Sequence, residues 1–196
     1  MIKTPKLKKS SRIAKPSSNG EHKLIRLDLG CGKRFAFHEG FIGVDANKAC
    51  KPDVVWDLTV TPWPWESDSV DEVVSVHFLE HLTGPERNIF MNELWRVLKL
   101  GAKAKFQVPY YSSQRAIQDW THQWPPLSER SFLYFNRGWR EANKLDHYET
   151  KCNFGYTYYY ILEGETAQRA VEVQCKWAKQ YLNAVDDLIV TLEKEA

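Results

Sequence analysis

The residues with the clearest chemical signature form a glycine-containing turn after the first apolar segment. Gly30 and Gly32 stand one residue apart, and Asp28 precedes them. Because glycine has no Cβ, this spacing lets the backbone pass close to a ligand. Asp45 ends the next apolar segment, where a carboxylate can accept hydrogen bonds from both hydroxyls of a ribose. A helix-capping role for Asp45 is the alternative, but its combination with the glycines favours a nucleoside-binding turn.

Histidines after the fourth apolar segment offer acid–base chemistry. His77 and His81 are about one helical turn apart, so they can share one face of a helix. An oxygen or nitrogen nucleophile often needs a base near neutral pH, and imidazole suits that task. We therefore take His77 as a candidate catalytic residue, with His147 as a further candidate base. The alternatives are a buried, structural His81 and an exposed Glu80.

Asp119 and His122 form a second candidate pair. A carboxylate three residues from an imidazole can orient it as a base, and Trp120 and Trp124 would surround it with an aromatic pocket. The alternative is an Asx-type turn within a packed loop. We include both Asp119 and His122 among the candidate catalytic residues.

Short apolar runs alternate with helical patterns along the chain, which favours a parallel sheet with right-handed crossovers. Residues 109–149 break this rhythm with three prolines and many aromatic residues, so we expect a substrate-side insertion or lid there. Strands are predicted over residues 24–29, 40–45, 53–57, 70–76, 102–108, 150–162 and 187–193, and helices over residues 85–98 and 165–183.

Length and composition indicate one compact domain over residues 23–196. The chain has 196 residues and a mass of 22.9 kDa, which is enough for a substantial core. It contains no apolar run of about 18 residues, so no membrane-spanning helix is expected. The four cysteines lack metal-binding spacing, so we expect free thiols, no metal site and a cytoplasmic location. The sequence leaves the oligomeric state open.

Residues 1–22 form a basic tail. Together with Lys23 they carry seven Lys or Arg residues against one acid. One interpretation is a solvated, disordered tail, and another is an arm that holds nucleic acid or an acidic partner. A transit peptide is a third interpretation, although the charges are mostly Lys rather than Arg.

The chain resembles the class I (Rossmann-like) S-adenosylmethionine-dependent methyltransferases, in particular the small type 11 group. The resemblance covers residues 24–108 in order, together with a matching terminal strand. It implies a doubly wound, mostly parallel α/β sheet of seven strands in the order 3-2-1-4-5-7-6, with strand 7 antiparallel and helices on both faces. It also implies S-adenosylmethionine as the cofactor. The motifs that carry it are Leu27–Gly32, Gly43–Asp45, Asp57–Leu58, His77–Leu82 and Leu98–Gly101.

The same resemblance implies roles for individual residues. Gly30 and Gly32 would lie beside the methionyl part of the cofactor, with Asp28 near its amino group. Asp45 would bind the ribose. Asp57 would face the adenine amino group, and Leu58 would lie against the ring. The complete set of implied cofactor-binding residues is Asp28, Gly30, Cys31, Gly32, Asp45, Ala46, Asp57, Leu58 and His77.

Other enzyme classes match the motifs less well. A dinucleotide site requires the pattern G-x-G-x-x-G, and its last position is Phe35 here. Enzymes that methylate base amino groups carry an Asn/Asp-Pro-Pro-aromatic motif after strand four, where this chain has Ser75–Phe78. The predicted function is therefore methyl transfer to an oxygen or nitrogen of a small or medium-sized acceptor. A non-catalytic binding or scaffold module is one alternative, and a nucleic-acid methyltransferase recruited by the basic tail is another.

Overall fold

A seven-stranded sheet organises the protein. The computed structural model describes residues 24–33, 40–145, 147–162 and 164–196, so the basic tail of residues 1–22 lies outside it. The strand order is β3-β2-β1-β4-β5-β7-β6, and β7 is antiparallel to both of its neighbours. The predicted order and the reversed strand are therefore confirmed. The strands are β1 Arg26–Leu29, β2 Ile42–Asp45, β3 Val54–Val55, β4 Val70–Val76, β5 Leu98–Pro109, β6 Phe154–Ile161 and β7 Asp187–Lys194.

Five α-helices and three 3-10 turns connect the described strands. The predicted helix over 85–98 corresponds to the longest of them, which begins after a capping box formed by Thr83 and Glu86. The helices are α1 Gly84–Val97, α2 Gln114–Gln118, α3 Arg137–Ala142, α4 Gly164–Ala167 and α5 Val171–Gln180, and the 3-10 turns are Lys48–Cys50, Leu79–His81 and Glu129–Phe135. No helix among the described residues is long and apolar enough to span a membrane.

The prediction of one continuous helix over 165–183 is wrong, because two helices, α4 and α5, occupy this stretch. Ala170 has extended backbone angles and precedes α5. The Gln174 side chain donates hydrogen bonds to the carbonyls of Ala167 and Arg169. These bonds give hydrogen-bond partners to backbone carbonyls at the break, which offsets the loss of helical hydrogen bonds there.

Helix α1 packs against the core through an aromatic cluster centred on Phe90. The Phe90 ring lies 5.2 Å from that of Trp63, 5.8 Å from Phe78 and 6.1 Å from Phe106, measured between centroids. Burying one such side chain stabilises the fold by about 1.5–3 kcal/mol. The cluster thereby holds the connection between β4 and α1, where several of the candidate site residues lie.

The direction of the strands decides which residues can meet. The parallel strands β1, β2, β4 and β5 all end at one edge of the sheet, where ligands bind in open α/β folds. Strand β7 runs the other way, so it begins at that edge: its first residue, Asp187, pairs with Pro109 at the end of β5. The residues after β1, β2, β4 and β5 therefore share an edge with the start of β7.

Residues 109–149 contribute both to the core and to the surface. Leu127 and Phe132 are buried in the main core. In contrast, Ile117, Trp120 and Trp124 are highly exposed, Trp120 at 91%. These three residues lie in and just after α2, so the part around 117–124 presents the most exposed apolar side chains among the described residues of this stretch.

Candidate active site

The two glycines of the turn after β1 serve different purposes. Gly30 has a φ of +70°, and a Cβ at this position would lie 2.2 Å from the ring of Phe78. Gly32 has a φ of +51°, but a Cβ there would meet no atom of the described residues within 4 Å. Glycine at position 30 is therefore required by packing, whereas no described residue crowds the Cα of Gly32.

Asp45 ties the glycine turn to the end of β2. Its Oδ2 accepts a hydrogen bond from the backbone N–H of Gly32 at 2.8 Å, and its Oδ1 accepts one from the N–H of Asn47 at 2.7 Å. A carboxylate has about four lone-pair sites, so it can accept further hydrogen bonds from a ligand. The half-buried carboxylate and the open side of Gly32 together fit a nucleoside that lies across the ends of β1 and β2.

The other implied cofactor residues differ in their surroundings. Asp28 is buried in β1, and Ala46 is exposed after β2. Cys31 is also buried, and burial together with the nearby charge of Asp28 raises the pKa of its thiol to about 12. The Cys31 side chain is therefore a neutral group near pH 7.

Asp57 and Leu58 have opposite environments. Asp57 is exposed, and its Oδ1 accepts hydrogen bonds from the backbone N–H and the hydroxyl of Thr59 at 2.9 and 2.7 Å. Leu58 is only 3% exposed and belongs to the main core. Of these two neighbours, only Asp57 presents its side chain at the surface.

His77 follows β4 and lies between two carboxylates. Its Nδ1 is 3.2 Å from Oε1 of Glu80, and its Nε2 is 3.3 Å from Oδ2 of Asp187. The hydrogen bond to Asp187 and then that to Glu80 raise the pKa of His77 to about 9, against the effect of burial. In this arrangement both ring nitrogens are engaged with carboxylates, so neither offers a free lone pair to an acceptor.

Asp187 is a site residue that the sequence analysis did not identify. It is 2% exposed, accepts a hydrogen bond from Gln107 Nε2 at 2.6 Å and pairs with Arg115 at 3.3 Å. Although burial opposes ionisation most strongly, the bonds from His77 and Gln107 keep its pKa below the usual value. The sequence signal that could have identified Asp187 is an acid at the start of a largely apolar predicted strand.

Arg87 attaches the segment around residues 123–125 to the turn after β4. The buried guanidinium donates to the carbonyls of Pro125 at 2.6 Å and Gln123 at 3.1 Å, and to that of Leu79 at 3.2 Å. The backbone N–H of Gln123 donates to the carbonyl of Glu80 at 2.9 Å. These bonds bring a distant part of the chain beside His77–His81.

Asp119 and His122 show both of the arrangements considered for them. Oδ1 of Asp119 accepts bonds from the N–H and the hydroxyl of Thr121, which is the Asx-type turn, and these bonds lower the pKa of Asp119. Oδ2 of Asp119 lies 3.8 Å from Nε2 of His122. Nδ1 of His122 lies 3.2 Å from the carbonyl of Ala116.

Glu80 is the centre of the candidate site, and the alternative of an exposed Glu80 does not hold. Its side chain is buried at 4% exposure because the segment held by Arg87 covers it. One carboxylate oxygen contacts His77. One ligand atom from each of Glu80, His81 and His122 lies within 4.8 Å of the others, a grouping that can hold a metal ion. His77 and His122 therefore both lie beside Glu80, which spacing in the sequence alone does not show.

Comparison with known proteins finds a family match over part of the chain. Residues 27–106, less than half of the chain, match the sequence model of the family described as "Methyltransferase domain". Over these residues the chain is therefore similar to methyltransferases. No curated protein matches the chain in a sequence search.

Solved structures of methyltransferases share the fold of this chain at low sequence identity. An S-adenosylmethionine-dependent methyltransferase from Archaeoglobus fulgidus superposes with a TM-score of 0.62 and 19% identity, over 87% of this chain and 86% of that one. A geranyl diphosphate C-methyltransferase from Streptomyces coelicolor, in complex with Mg2+, geranyl diphosphate and S-adenosyl-L-homocysteine, superposes with a TM-score of 0.53 and 12% identity, over 91% and 76%. At these identities the likeness concerns the fold.

The family match divides the site into two halves. The implied cofactor residues, from Asp28 to His77, lie within the matched residues 27–106. Arg115, Asp119, His122 and Asp187 lie beyond the end of the match. The family match therefore covers the implied cofactor residues and only part of the remaining site.

Proposed function

We propose that the protein transfers a methyl group from S-adenosylmethionine to an oxygen or nitrogen of a small or medium-sized acceptor. The observation that carries the proposal is the position of Asp45, whose carboxylate bridges the open glycine turn and the end of β2. When bound, S-adenosylmethionine supplies an activated methyl group on a sulfonium, so orientation of the acceptor provides much of the rate.

On the donor side, the chain supplies hydrogen-bond acceptors and open backbone. Two lone pairs of the Asp45 carboxylate accept from the backbone N–H groups of Gly32 and Asn47. The remaining lone pairs accept hydrogen bonds from the ribose hydroxyls. The exposed carboxylate of Asp57 serves the adenine amino group. The full donor-side set is Asp28, Gly30, Cys31, Gly32, Asp45, Ala46, Asp57 and Leu58, with His77 at its border with the acceptor side.

On the acceptor side, we assign His77 a positioning role. Its two ring nitrogens contact Glu80 and Asp187, so it fixes these carboxylates rather than binding a proton from the acceptor. His122 is better placed to act as a base. Because a carbonyl oxygen only accepts hydrogen bonds, Nδ1 of His122 donates to Ala116, which leaves a lone pair on Nε2. Asp119 lies beside that nitrogen and orients the ring.

The exposed aromatic residues favour a small-molecule acceptor. Trp120 and Trp124 flank His122 in the chain and are exposed to solvent, so they can close over an organic acceptor at the mouth of the site. The structural neighbour from Streptomyces coelicolor, a C-methyltransferase with geranyl diphosphate bound, supports an acceptor of about that size.

The test is methyl transfer from S-adenosylmethionine carrying a tritiated methyl group to a panel of small hydroxyl, carboxyl and amine compounds. We expect transfer to one acceptor class, with kcat about 10²- to 10⁴-fold lower in His122→Gln and S-adenosylmethionine affinity unchanged. His147→Gln is the matched control, because His147 is an exposed histidine whose ring packs against the neighbouring Tyr148. Transfer confined to nucleic acid or protein, or full activity of His122→Gln, would contradict the proposal.

A further inference from the structure

Three potential metal ligands from two separate parts of the chain meet beside the acceptor side. Glu80 and His81 belong to the 3-10 turn after β4, and His122 follows α2. One ligand atom of each lies within 4.8 Å of the other two. Ligands of one small divalent ion, each at about 2.0–2.2 Å, lie about 3–4 Å apart. Side-chain adjustments of about 1 Å would therefore bring the three into one coordination sphere.

The hydrogen bonds of the two histidines place a proton on Nδ1 of each ring and so leave a lone pair on Nε2. The Thr121 hydroxyl donates its proton to Asp119 at 2.7 Å, so it can only accept from Nδ1 of His81, 3.0 Å away. Nδ1 of His122 likewise donates to the carbonyl of Ala116. A hydrogen bond from one ring nitrogen to a neighbouring oxygen is the usual arrangement that fixes the other nitrogen as a metal ligand. Both rings thus have the tautomer that metal coordination requires.

Glu80 provides an independent observation that points to a ligand. Its Oε1 contacts His77, but its Oε2 is buried and has no hydrogen-bond partner among the residues that the structure describes. A buried carboxylate oxygen without a partner is costly, because it has lost its water. A cation bound by this oxygen and the two Nε2 atoms would remove that cost.

A further carboxylate lies next to the cluster on its solvent side. Oδ2 of Asp119 lies 3.8 Å from Nε2 of His122, and the Asp119 side chain is exposed. The cluster therefore has a carboxylate on its solvent side, where water or an acceptor oxygen can also approach. Two imidazoles with one or two carboxylates suit first-row transition ions such as Zn2+, Co2+ and Mn2+ better than Ca2+.

We infer that Glu80, His81 and His122 bind a divalent transition-metal ion at the acceptor side of the methyltransferase domain. The inference departs from the expectation, based on sequence spacing, that no metal site is present, because the ligands come from segments that only the fold brings together. The ion and a proton use the same lone pair of His122, so His122 does not act as a base while it binds metal. A role for the ion in binding an acceptor oxygen rests on the proposed function, whereas metal binding does not.

The test uses the untagged full chain, first freed of metal with a chelator and then titrated calorimetrically with Zn2+ or Mn2+ without S-adenosylmethionine. We expect one ion per chain, with affinity at least tenfold lower in His122→Gln and in Glu80→Gln and unchanged in His147→Gln. Because Glu80 is buried, its replacement can change folding as well as metal binding. A second measurement therefore uses the wild-type protein loaded with Co2+. Its NMR spectrum should show paramagnetically shifted signals from two imidazole rings.

Absence of stoichiometric binding by the folded wild type would overturn the inference, as would equal affinity in His122→Gln. A Co2+ spectrum without shifted imidazole signals would also contradict it. Because these measurements contain neither donor nor acceptor, their failure is distinct from a failure of methyl transfer. An active enzyme without metal binding would leave the proposed function standing and exclude only the ion.

Discussion

Nε2 of His77 lies 3.3 Å from Oδ2 of Asp187, although the two residues come from strands that run in opposite directions. His77 follows the end of β4, and Asp187 is the first residue of β7. The contact exists because the last strand is antiparallel, so its start reaches the edge where the parallel strands end. The reversed strand thus supplies a buried acid to the acceptor side.

Replacement of Asp187 should destabilise the protein. In Asp187→Asn the charge that faces His77 and Arg115 is removed, and the hydrogen bonds with charged partners weaken. We expect the free energy of unfolding to fall by about 1–3 kcal/mol, measured by urea denaturation. Asp186→Asn is the matched control, since the Asp186 side chain takes no part in this network. Equal stability of Asp187→Asn and wild type would contradict the contact.

Replacement of Arg87 should loosen the segment around residue 123. Lysine keeps the positive charge but cannot reach the carbonyls of Leu79, Gln123 and Pro125 together. We expect Arg87→Lys to lose about 1.5–3 kcal/mol of stability and to exchange the Gln123 amide hydrogen faster with deuterium. The exposed Arg130, replaced in the same way, serves as control. Unchanged exchange at Gln123 in Arg87→Lys would show that the guanidinium does not hold the segment.

The two glycines of the turn should respond differently to alanine. Gly30→Ala places a methyl group against Phe78 and should cost at least about 2 kcal/mol of unfolding free energy. Gly32→Ala costs about 1 kcal/mol for its left-handed backbone but projects into the proposed cofactor site. We therefore expect Gly32→Ala to fold and to bind S-adenosylmethionine at least tenfold more weakly, by calorimetry. The opposite ranking of the stability losses would contradict the packing described for Gly30.

Glu93 should contribute to stability only above acidic pH. Burial opposes its ionisation most strongly, but bonds from Arg96 and from the backbone N–H of Trp63 lower its pKa below the ordinary 4.5. A carboxyl with a lowered pKa in the folded state stabilises the fold above its ordinary value and loses this effect as the pH falls below it. Urea unfolding at several pH values should therefore show a weaker loss of stability on acidification in Glu93→Gln. The exposed Glu66→Gln variant should keep the wild-type pH dependence, and an identical profile for all three would contradict the assignment.

Local patterns and the family resemblance were sufficient to predict the sheet, and they also supply the proposed cofactor residues. The glycine turn, Asp45 and the predicted strands are each encoded within a few neighbouring residues, and the resemblance to a known family adds their order in the sheet. The break between α4 and α5 was missed because it depends on side-chain bonds from Gln174, which the apolar pattern does not register.

The acceptor side could not be assembled from the sequence, because its contacts join distant segments. Nothing near Glu80 in the chain shows that Arg87 binds the carbonyls of residues 123 and 125. The burial of Glu80 could therefore not be inferred from its neighbours in the sequence. Asp187 likewise reaches His77 only through the reversed strand. Burial and long-range pairing, rather than residue type, determine this half of the site.

Calorimetric titration of S-adenosylmethionine into the full chain tests the central claim most directly. The account predicts binding by the wild type and a loss of about 1–3 kcal/mol in Asp45→Asn, the expected effect of weakening hydrogen bonds to a carboxylate. Asp53→Asn is the matched control, because Asp53 also accepts a backbone hydrogen bond, from Gly43, but lies away from the glycine turn. A folded wild type that does not bind S-adenosylmethionine, or an Asp45→Asn variant that binds it as tightly as the wild type, would contradict the account.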